Sequence, residues 1–243
     1  MEKIVLNGIT ISVTKKSIKN MYIRVVPPDG KVQITAPYTV SDDSIRRFAI
    51  SKISWIKKQK KCFEEQSRQT KRQYITGESY YLWGKRYRLD VRYSNTGNQV
   101  YLAGEKMVLQ VRKDSTSKQR ENVLNEWYRK QIKKVVPNVL KKCESIVGVQ
   151  AEEWHIKNMR TKWGTCNIEK KRIWLNLQLV KKTPECLEYV IIHELVHLLE
   201  RHHNDKFYEY MNSFYPSWRE IKDNLNQQML DYFEEEKNPK PVL

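Results

Sequence analysis

The segment His193–His197, which reads His-Glu-Leu-Val-His, constrains the fold of this chain more than any other feature. His193 and His197 are four residues apart, so on an α-helix their imidazoles project from one face and can bind a single metal ion. Glu194 lies beside them, where its carboxylate can act as general base on a metal-bound water without being a ligand. Four of the five histidines lie between residues 193 and 203. The segment therefore predicts a helix with a catalytic zinc site that takes its third ligand from elsewhere.

The third ligand must come from beyond this helix. His203 is six residues after His197, which is about 9 Å along a continuous helix at ~1.5 Å per residue and too far to share one ion. The helix must therefore end before His203. Asn204 or Asp205 is a suitable cap for a new helix that begins near Lys206, and such a turn would return His203 toward the metal.

Other side chains near the motif are alternative third ligands. Glu209 on the next helix ranks second after His203, and Glu200 is only three residues after His197 on the same helix. His202 is expected to be solvated. Glu200 also stands where the metzincin signature H-E-x-x-H-x-x-G-x-x-H has glycine, so the spacing of that class fits but its glycine is missing. A buried helix with two histidines and no metal is the simplest alternative, because the five-residue motif has false matches.

The residues that flank the motif predict a helix from about 184 to 200 that is buried on most of its sides. Thr183, Pro184 and Glu185 form a strong helix start, with a capping hydroxyl, a proline at the first helical position and an acid in the first turn. Residues 190–199 are apolar almost all the way round the helix. Glu194 and two histidines would be unfavourable there without partners, and a bound metal would supply them.

Upstream of this helix, the sequence predicts a small sheet. Residues 172–179 alternate and are rich in apolar side chains, which is typical of a strand with one face in the core. We expect that such a strand could pair with an extended substrate. A second candidate strand covers Glu153 to Met159, and the turn-prone segment Arg160–Cys166 lies between the two.

These segments, in this order, resemble the YgjP-like zinc metallopeptidases, which are relatives of the SprT-like group. The matching patterns are R-x-K-W-G-T-C at 160–166, L-N-L at 175–177, H-E-L-V-H at 193–197 and H-x-x-x-F at 203–207. The likeness is close over roughly residues 150–215, and the segments around Gly77 and Trp83 resemble the amino-terminal region of the family more loosely. Thr165 and Tyr208 depart from the family pattern, where serine and tryptophan are more usual.

The resemblance implies a zincin-like α+β fold, one Zn²⁺ per chain with His193, His197 and His203 as ligands, and Glu194 as catalytic base. We therefore expect an α+β protein in which a zincin-like metallopeptidase domain, residues 115–243, has its active-site helix beside a small sheet. A strongly basic and mainly β amino-terminal domain with one helix, residues 1–114, is expected to precede it.

The elements of the amino-terminal part follow from turn and cap signals. An Asn-Gly pair within Ile4–Ile11 and a Pro-Pro-Asp-Gly turn between residues 21 and 36 each predict a hairpin. Ser41 is a suitable cap for a helix that runs to about Arg68. Further strands are predicted over residues 80–93 and 99–112.

The remaining elements are predicted to be helical. A long helix from Ser117 to about Ile146 should be kinked at Pro137 and end at Gly148. The carboxyl-terminal part from Lys206 to Glu236 should form two helices broken at Pro216.

Charge is distributed unevenly along the chain, which has a formal net charge of +17. Residues 1–150 contain 31 Lys and Arg against 13 Asp and Glu, whereas residues 151–243 contain 14 against 15. Such asymmetry is typical of a polyanion-binding part attached to a near-neutral catalytic part, and also of a lysine-rich solvated surface. Nucleic acid is thus a candidate partner of the basic amino-terminal half.

Other features of the sequence indicate where in the cell the protein is expected to reside. The chain has no apolar run of about 18 residues or more, so no membrane partner is expected. Its start lacks the basic and apolar regions of a secretory signal. The four cysteines are widely scattered and form no C-x-x-C pair, as expected for free thiols in a reducing cytoplasm.

Together these observations predict a zinc-dependent metallopeptidase that hydrolyses peptide bonds in a peptide or protein substrate, with a zinc-bound water and Glu194 as general base. Arg160, Asn176 and Tyr208 are candidates to position substrate or stabilise the oxyanion. The alternative is a nucleic-acid-associated, SprT-like factor whose basic part binds DNA while the metal centre trims bound protein. A purely structural zinc module is disfavoured, because such sites usually have four protein ligands and would give Glu194 no role.

Overall fold

The computed structural model describes residues 2–26, 30–65, 72–159 and 162–227, which fall into two compact units. The first unit lies within residues 1–70, and the second begins at residue 71. The fold class is α+β, as predicted. The boundary expected between residues 114 and 115 lies inside the second unit, and as a division between separately folding domains it stays a prediction.

Within its described residues, the first unit contains one four-stranded sheet and two helices. Its elements are β1 (Glu2–Leu6), β2 (Ile9–Lys16), β3 (Tyr22–Val26), β4 (Lys31–Pro37), α1 (Asp42–Ser51) and α2 (Ile53–Glu65), with strand order β1-β2-β4-β3. Asn7 and Gly8 form the turn of the β1–β2 hairpin with φ angles of 48° and 76°, which explains the Asn-Gly pair. β3 and β4 form the second predicted hairpin, whose turn residues 27–29 lie outside the described residues.

The helical part of this unit differs from the prediction of a single helix. Ser41 caps α1 by accepting a hydrogen bond from the Ser44 N–H, as expected. The helix then ends at Lys52, and α2 begins at the next residue. The prediction of one continuous helix was therefore wrong. The apolar side chains within residues 45–60 keep helical spacing across Lys52, so the sequence pattern gave no signal for the break. Arg68, the predicted end, lies outside the described residues.

The second unit contains two sheets and four α-helices within its described residues. Its first sheet and long helix are formed by β5 (Ser79–Leu82), β6 (Lys85–Tyr93), β7 (Gln99–Ala103), β8 (Lys106–Val111) and α3 (Ser117–Val147), with strand order β5-β6-β8-β7. Its remaining elements are β9 (Glu153–Lys157), β10 (Gly164–Asn167), β11 (Arg172–Asn176), a 3-10 helix (Leu177–Lys181), α4 (Pro184–Val196), α5 (Asp205–Phe214) and α6 (Trp218–Gln227). One hydrophobic core includes buried residues from both sheets and from α3, α4, α5 and α6.

The long helix α3 has well-defined ends. Thr116 and Gln119 form a capping box at its start, and Gly148 ends it in the left-handed conformation with φ 79°. Pro137 is exposed and lies within one uninterrupted helix. No helix in the described part of the chain is long and apolar enough to span a membrane.

The small sheet that accompanies the metal-binding helix has strand order β10-β11-β9. β11 is its central strand, paired antiparallel with β10 and parallel with β9. The expectation that the strand at 172–179 pairs with substrate was therefore wrong, since both of its edges are occupied. The strand also ends at Asn176, where the 3-10 helix begins. Its buried Ile173 and Leu175 face α4, which packs against β10 and β11.

The β5–β6 hairpin fixes the position at which α4 begins. The turn residues Trp83 and Gly84 have positive φ angles of 50° and 79°. The Trp83 N–H donates a hydrogen bond of 2.8 Å to the Val180 carbonyl. A Cβ atom on Gly84 would lie 2.8 Å from Cγ2 of Thr183, the N-cap residue of α4, so only glycine allows this approach. This contact explains the Trp-Gly pair at residues 83 and 84.

Candidate metal centre

Helix α4 carries the H-E-x-x-H segment and is buried on most of its sides, as predicted. It ends at Val196 rather than near residue 200, and His197 is its C-cap residue. The chain then tightens, because the N–H groups of Leu198 and Leu199 donate to the carbonyls three residues before them, each at 2.9 Å. This early end allows the chain to turn back toward the helix.

The turn after α4 brings a third histidine to the motif. Asn204 caps α5, its side chain accepting a 3.0 Å hydrogen bond from the Phe207 N–H. His203 Nε2 lies 3.0 Å from His193 Nε2. The candidate ligand nitrogens of His193, His197 and His203 all lie within 4.8 Å of one another. The structure therefore brings together the three predicted ligands.

The alternative ligands do not join this cluster. In the part of the chain that the structure describes, the three histidines form the one group of at least three metal-ligating side chains. The Glu200 carboxylate instead accepts a 3.2 Å hydrogen bond from the His202 N–H, while His202 itself is exposed. Glu209 is exposed on α5 and lies outside the cluster.

The surroundings of the three imidazoles suit a metal ion. His197 Nδ1 is 3.2 Å from the Glu200 carbonyl, so a proton on Nδ1 leaves Nε2 free to be a ligand. Burial and the neighbouring histidines lower the pKa of His193 to about 3, and burial also lowers the pKa values of His197 and His203. The neutral imidazoles that a metal requires are thus the favoured form near pH 7.

Phe207 packs against all three imidazoles of the cluster. It is buried, and its ring centroid lies 5.0 Å from that of His193, 4.8 Å from that of His197 and 4.6 Å from that of His203. This one aromatic ring therefore limits how all three imidazoles can rotate. Sequence reasoning assigned Phe207 no role, although its spacing four residues after His203 on a capped helix was the available signal.

Glu194 lies next to this cluster and is almost completely buried, with 5% of its surface exposed. Its carboxylate makes no hydrogen bond or ion pair with any described residue. Burial raises its pKa to about 8, while the charge of Lys162 acts in the opposite direction. A carboxyl group of this kind exchanges a proton near neutral pH, which suits a general acid and base.

Gly164 makes the room that Glu194 occupies. A Cβ atom on Gly164 would lie 2.5 Å from Glu194 Oε1, 2.9 Å from its Cγ and 2.9 Å from Val190 Cγ1. No larger residue fits there without displacing the carboxylate. Gly164 is the first residue of β10 and pairs with Leu175 of β11, so the sheet holds it against α4. Sequence analysis noted the Trp-Gly-Thr-Cys segment but did not assign this function to its glycine.

The three predicted substrate-positioning residues have different environments. Arg160 lies outside the described residues. Tyr208 is half-buried, and its ring stacks on that of Trp218 at 5.6 Å and lies 6.5 Å from that of His203 at an interplanar angle of 22°. Tyr208 is thus close to the metal centre, but its ring also packs against Trp218.

Asn176, the third of these residues, is fully buried. Its Oδ1 accepts hydrogen bonds from the N–H groups of Met159 and Gln178 at 3.3 and 3.1 Å. Its Nδ2 donates to the carbonyls of Met159 and Lys162 at 2.9 and 2.7 Å. The amide is therefore fully engaged with the backbone, chiefly with the loop that leads into β10.

The fold and this site together define a metallopeptidase. A buried H-E-x-x-H helix beside a small sheet, with a third histidine returned by the next helix, is the arrangement that such enzymes use to bind a catalytic metal. The model of the YgjP-like family, which describes its metallopeptidase domain, matches residues 19–228. The chain therefore belongs to the YgjP-like metallopeptidase family.

Two solved structures are similar to part of the chain. The metallopeptidase zymogen of Pyrococcus abyssi abylysin is 23% identical, covers 37% of this chain and 91% of its own, and has a TM-score of 0.36. The metallopeptidase zymogen of Methanocaldococcus jannaschii jannalysin is 22% identical, covers 38% and 94%, and has a TM-score of 0.35. These likenesses are too distant to assign a property to this chain. No curated protein sequence matches it.

Proposed function

We propose that this protein is a zinc-dependent peptidase that hydrolyses peptide bonds in a peptide or protein substrate. The observation that carries the proposal is the joint placement of three imidazoles within 4.8 Å of one another and a buried, unpaired carboxylate from the adjacent residue of the same helix. A purely structural metal site would have no use for such a carboxylate, because its burial is unfavourable.

His193, His197 and His203 would hold the metal. Zinc bound by these three histidines would supply Lewis acidity to polarise the scissile carbonyl and to acidify a water molecule. Three neutral nitrogen ligands favour zinc over magnesium or calcium, which prefer oxygen ligands. Phe207 keeps the imidazoles oriented.

Glu194 would act first as base and then as acid. Its carboxylate accepts a proton from the attacking water and then donates that proton to the nitrogen of the leaving amine. Because burial raises its pKa to about 8, the protonated form required for the second step is accessible near neutral pH. Gly164 keeps the carboxylate in position by leaving space for it.

The positioning residues would contribute in two ways. Tyr208 would offer its hydroxyl to the substrate or to the developing oxyanion, since it lies beside His203. Asn176 would act indirectly, because its amide is occupied by the loop that carries Lys162 and leads into β10. Arg160, outside the described residues, stays a candidate for direct contact with substrate.

The decisive experiment is the variant Glu194→Gln. It removes the base but leaves all three imidazoles, so zinc measured by elemental analysis should stay near one per chain while peptide hydrolysis falls by about two orders of magnitude or more. Loss of zinc from this variant would identify Glu194 as a ligand, and unchanged turnover would exclude the proposed mechanism.

The nucleic-acid alternative receives no support from the family match or from the site. Lys57, Lys58 and Lys61 are exposed on α2, and Lys60 is half-buried there, so the basic cluster stays a prediction for DNA binding. Reversal of these lysines to glutamate should flatten the salt dependence of DNA binding, whose slope is about −0.7 to −0.9 per phosphate contact. If the unmodified protein binds no DNA at low salt, the nucleic-acid alternative is excluded.

A further inference from the structure

The three-stranded sheet beside α4 has two edges, and only one of them lies at the metal centre. β10 contacts Glu194 through Gly164 at the first edge, β11 is the middle strand, and β9 forms the opposite edge. Among the strands that the structure describes, β11 is the one neighbour of β9. The outer side of β9 is therefore an unpaired edge, to which another strand can be added.

Trp154 and Ile156 point their backbone groups to this open side. The Asn176 N–H donates to the Trp163 carbonyl, so alternate residues of β11, Asn176 included, bond toward β10 and the others bond toward β9. Ile173 lies opposite Trp154 in the parallel register, and its bonds go to the residues of β9 that flank Trp154. The backbone groups of Trp154 and Ile156 therefore point away from β11.

A side chain of α3 occupies one of these outward groups. The Ile156 carbonyl accepts a hydrogen bond of 2.9 Å from Arg129 Nη1, and Arg129 Nε lies 3.3 Å from Glu126 Oε1. Among the described residues, no side chain or turn bonds to the N–H or carbonyl of Trp154 or to the N–H of Ile156. Three backbone groups thus face the open edge, with a guanidinium fixed beside them.

A cavity of about 520 Å³ lies along this edge. It is lined by helix α3 and by the last two strands of the sheet, through Arg129, Lys133, Trp154, His155, Ile156 and Trp174. Its volume lies in the range of about 300–1,000 Å³ that is usual for ligand pockets. The open edge therefore borders a space that is large enough for side chains of a bound segment.

Aromatic rings form the side of the cavity that is remote from α3. The rings of His155 and Trp174 are 4.6 Å apart at an interplanar angle of 31°, and Lys157 Nζ lies 6.0 Å from the Trp174 ring. His155 Nε2 is 3.1 Å from Glu153 Oε2, the same oxygen that pairs with Arg172 at 2.7 Å. This pairing holds the imidazole in place, so the two rings offer a preformed apolar surface.

The charge of the lining favours an anionic occupant. Arg129 and Lys133 line the cavity, whereas no acidic side chain does. Glu126 pairs with Arg129 but is not part of the lining, and Lys133 is exposed. A concave site lined by cations attracts acidic groups, because its potential is positive.

We propose that β9 is a docking strand, which binds an extended acidic peptide segment by strand addition at a site separate from the metal centre. The backbone of the segment pairs with Trp154 and with the Ile156 N–H. Side chains of a strand alternate between its faces, so acidic residues face Arg129 and Lys133 while apolar residues pack on the His155 and Trp174 rings. This docking needs no hydrolysis and thus goes beyond the proposed peptidase function.

The first test measures which segments bind. Three labelled peptides share valine or tyrosine at every second position and carry glutamate, glutamine or lysine at the others. Fluorescence anisotropy with the Glu194→Gln protein, in which hydrolysis is blocked, should give a Kd about tenfold lower for the glutamate than for the glutamine peptide and the highest Kd for the lysine peptide. Equal Kd values overturn the acidic class.

Charge reversal on α3 locates the site. Adding Lys133→Glu to this protein should raise the Kd of the glutamate peptide about tenfold, because the substitution places a like charge in the cavity. The matched control is Lys134→Glu, the next residue, which is exposed but does not line the cavity and should leave the Kd nearly unchanged. An equal effect of the two substitutions, or none from either, overturns the location.

Strand addition has its own signature. Bound peptide should slow amide hydrogen exchange at Trp154 and Ile156, whose N–H groups face the open edge. Two versions of the glutamate peptide, N-methylated at one or the other set of alternate residues, should differ in Kd by about tenfold, because only one set faces β9. Equal Kd values for the two versions overturn strand addition. So does displacement of the peptide by a single-stranded oligonucleotide that slows exchange at neither residue, since the cavity would then bind polyanions.

The docking site and the peptidase can fail separately. If the unmodified, zinc-loaded protein binds the glutamate peptide at β9 but cleaves none of the three peptides, the result counts against the peptidase and supports the docking strand. If it cleaves them while Lys133→Glu leaves binding and exchange unchanged, the docking strand is overturned and the metal centre is unaffected.

Discussion

Gly164 illustrates how a single residue without a side chain shapes the site. Gly164→Ala should place a methyl group 2.5 Å from the present position of Glu194 Oε1 and displace the carboxylate. We expect kcat/KM to fall by about tenfold to a hundredfold, because small errors in the position of a catalytic group are costly. Zinc content should not change, since the ligands lie elsewhere.

The matched control is Thr165→Ala, the next residue of β10, whose side chain points to the other face of the strand. It should keep most of the activity. Equal loss in both variants would mean that β10 is sensitive as a strand and that Gly164 has no special contact with the base.

The adjacent histidines after α4 should differ in their effect on metal binding. His203→Ala removes a nitrogen that lies 3.0 Å from His193 Nε2, so zinc should be lost or bound far more weakly. His202→Ala should retain zinc, because His202 is exposed and outside the cluster. Elemental analysis of the two purified variants makes the comparison. Zinc loss from Glu209→Ala, with retention in His203→Ala, would contradict the assignment.

At the scale of single residues, the sequence predicted the residues of the motif but not the residues that hold them in position. The spacing of His193 and His197 is set by local helix geometry, so the five residues of the motif suffice to predict it. The roles of Gly164 and Phe207 depend on contacts with residues that are distant in the chain or in a following element. No local pattern reports such contacts.

At the scale of elements, the two ends of α4 were not equally predictable from the sequence. The start of α4 was evident, because Thr183 and Pro184 occupy the N-cap and first helical positions, but the expected capping hydrogen bond of the Thr183 hydroxyl is not formed. Its end was predicted too late, since residues 198–200 have good helix propensity. The actual end is accompanied by a local bond between His197 Nδ1 and the Glu200 carbonyl and by the return of His203 to His193, and the second of these is a tertiary contact.

The connection between β11 and the loop before β10 depends on one amide. Asn176→Asp keeps the size and both acceptor bonds but replaces the donor to two carbonyls by an anionic oxygen. The free energy of unfolding should fall by about 2–4 kcal/mol, because two part-buried carbonyls lose their donor and face an anionic oxygen instead. Amide hydrogen exchange should rise at Met159 and at residue 176, whose N–H donates to the Trp163 carbonyl, and KM should rise more than kcat falls if the loop contacts substrate.

Asn167→Asp is a suitable comparison at the other end of β10. Its Oδ1 only accepts a hydrogen bond, of 2.9 Å from the Lys170 N–H, so the aspartate preserves the bond and stability should change little. If Asn176→Asp changes stability but neither exchange in the loop nor KM, the role of Asn176 is purely structural.

At the scale of the whole molecule, the buried site makes the stability of the metal-free protein depend on pH in two opposite ways. The pKa of His193 is about 3 rather than 6.5, so below pH 6.5 the unfolded chain binds a proton that the folded chain does not, and stability decreases as pH is lowered from 6.5 toward 3. The pKa of Glu194 is about 8 rather than 4.5, so its contribution to stability is lost as pH rises from 4.5 through 8.

Above pH 6.5 the Glu194 effect therefore acts without opposition from His193. We expect urea unfolding of the chelator-treated protein to show lower stability above pH 8 than at pH 6.5, and Glu194→Gln to remove this decline. A decline of equal size in the variant would show that other groups cause it.

The order of strands and helices in the whole molecule was only partly predictable. The fold class and most elements followed from periodicity and caps, as for the two amino-terminal hairpins and for α3. The position of β11 between β10 and β9 did not, because strand order depends on crossover connections rather than on local pattern.

The contact between the β5–β6 turn and the start of α4 also has a consequence for biosynthesis. Trp83 leaves the ribosome roughly a hundred residues before Val180, so their hydrogen bond closes a very long loop. Contacts between such distant residues form late, since chain entropy opposes them until other parts of the fold are in place. Helix α4 therefore docks late, and His203 follows it in the order of synthesis. A nascent chain consequently lacks an assembled metal centre until almost the entire second unit has been translated.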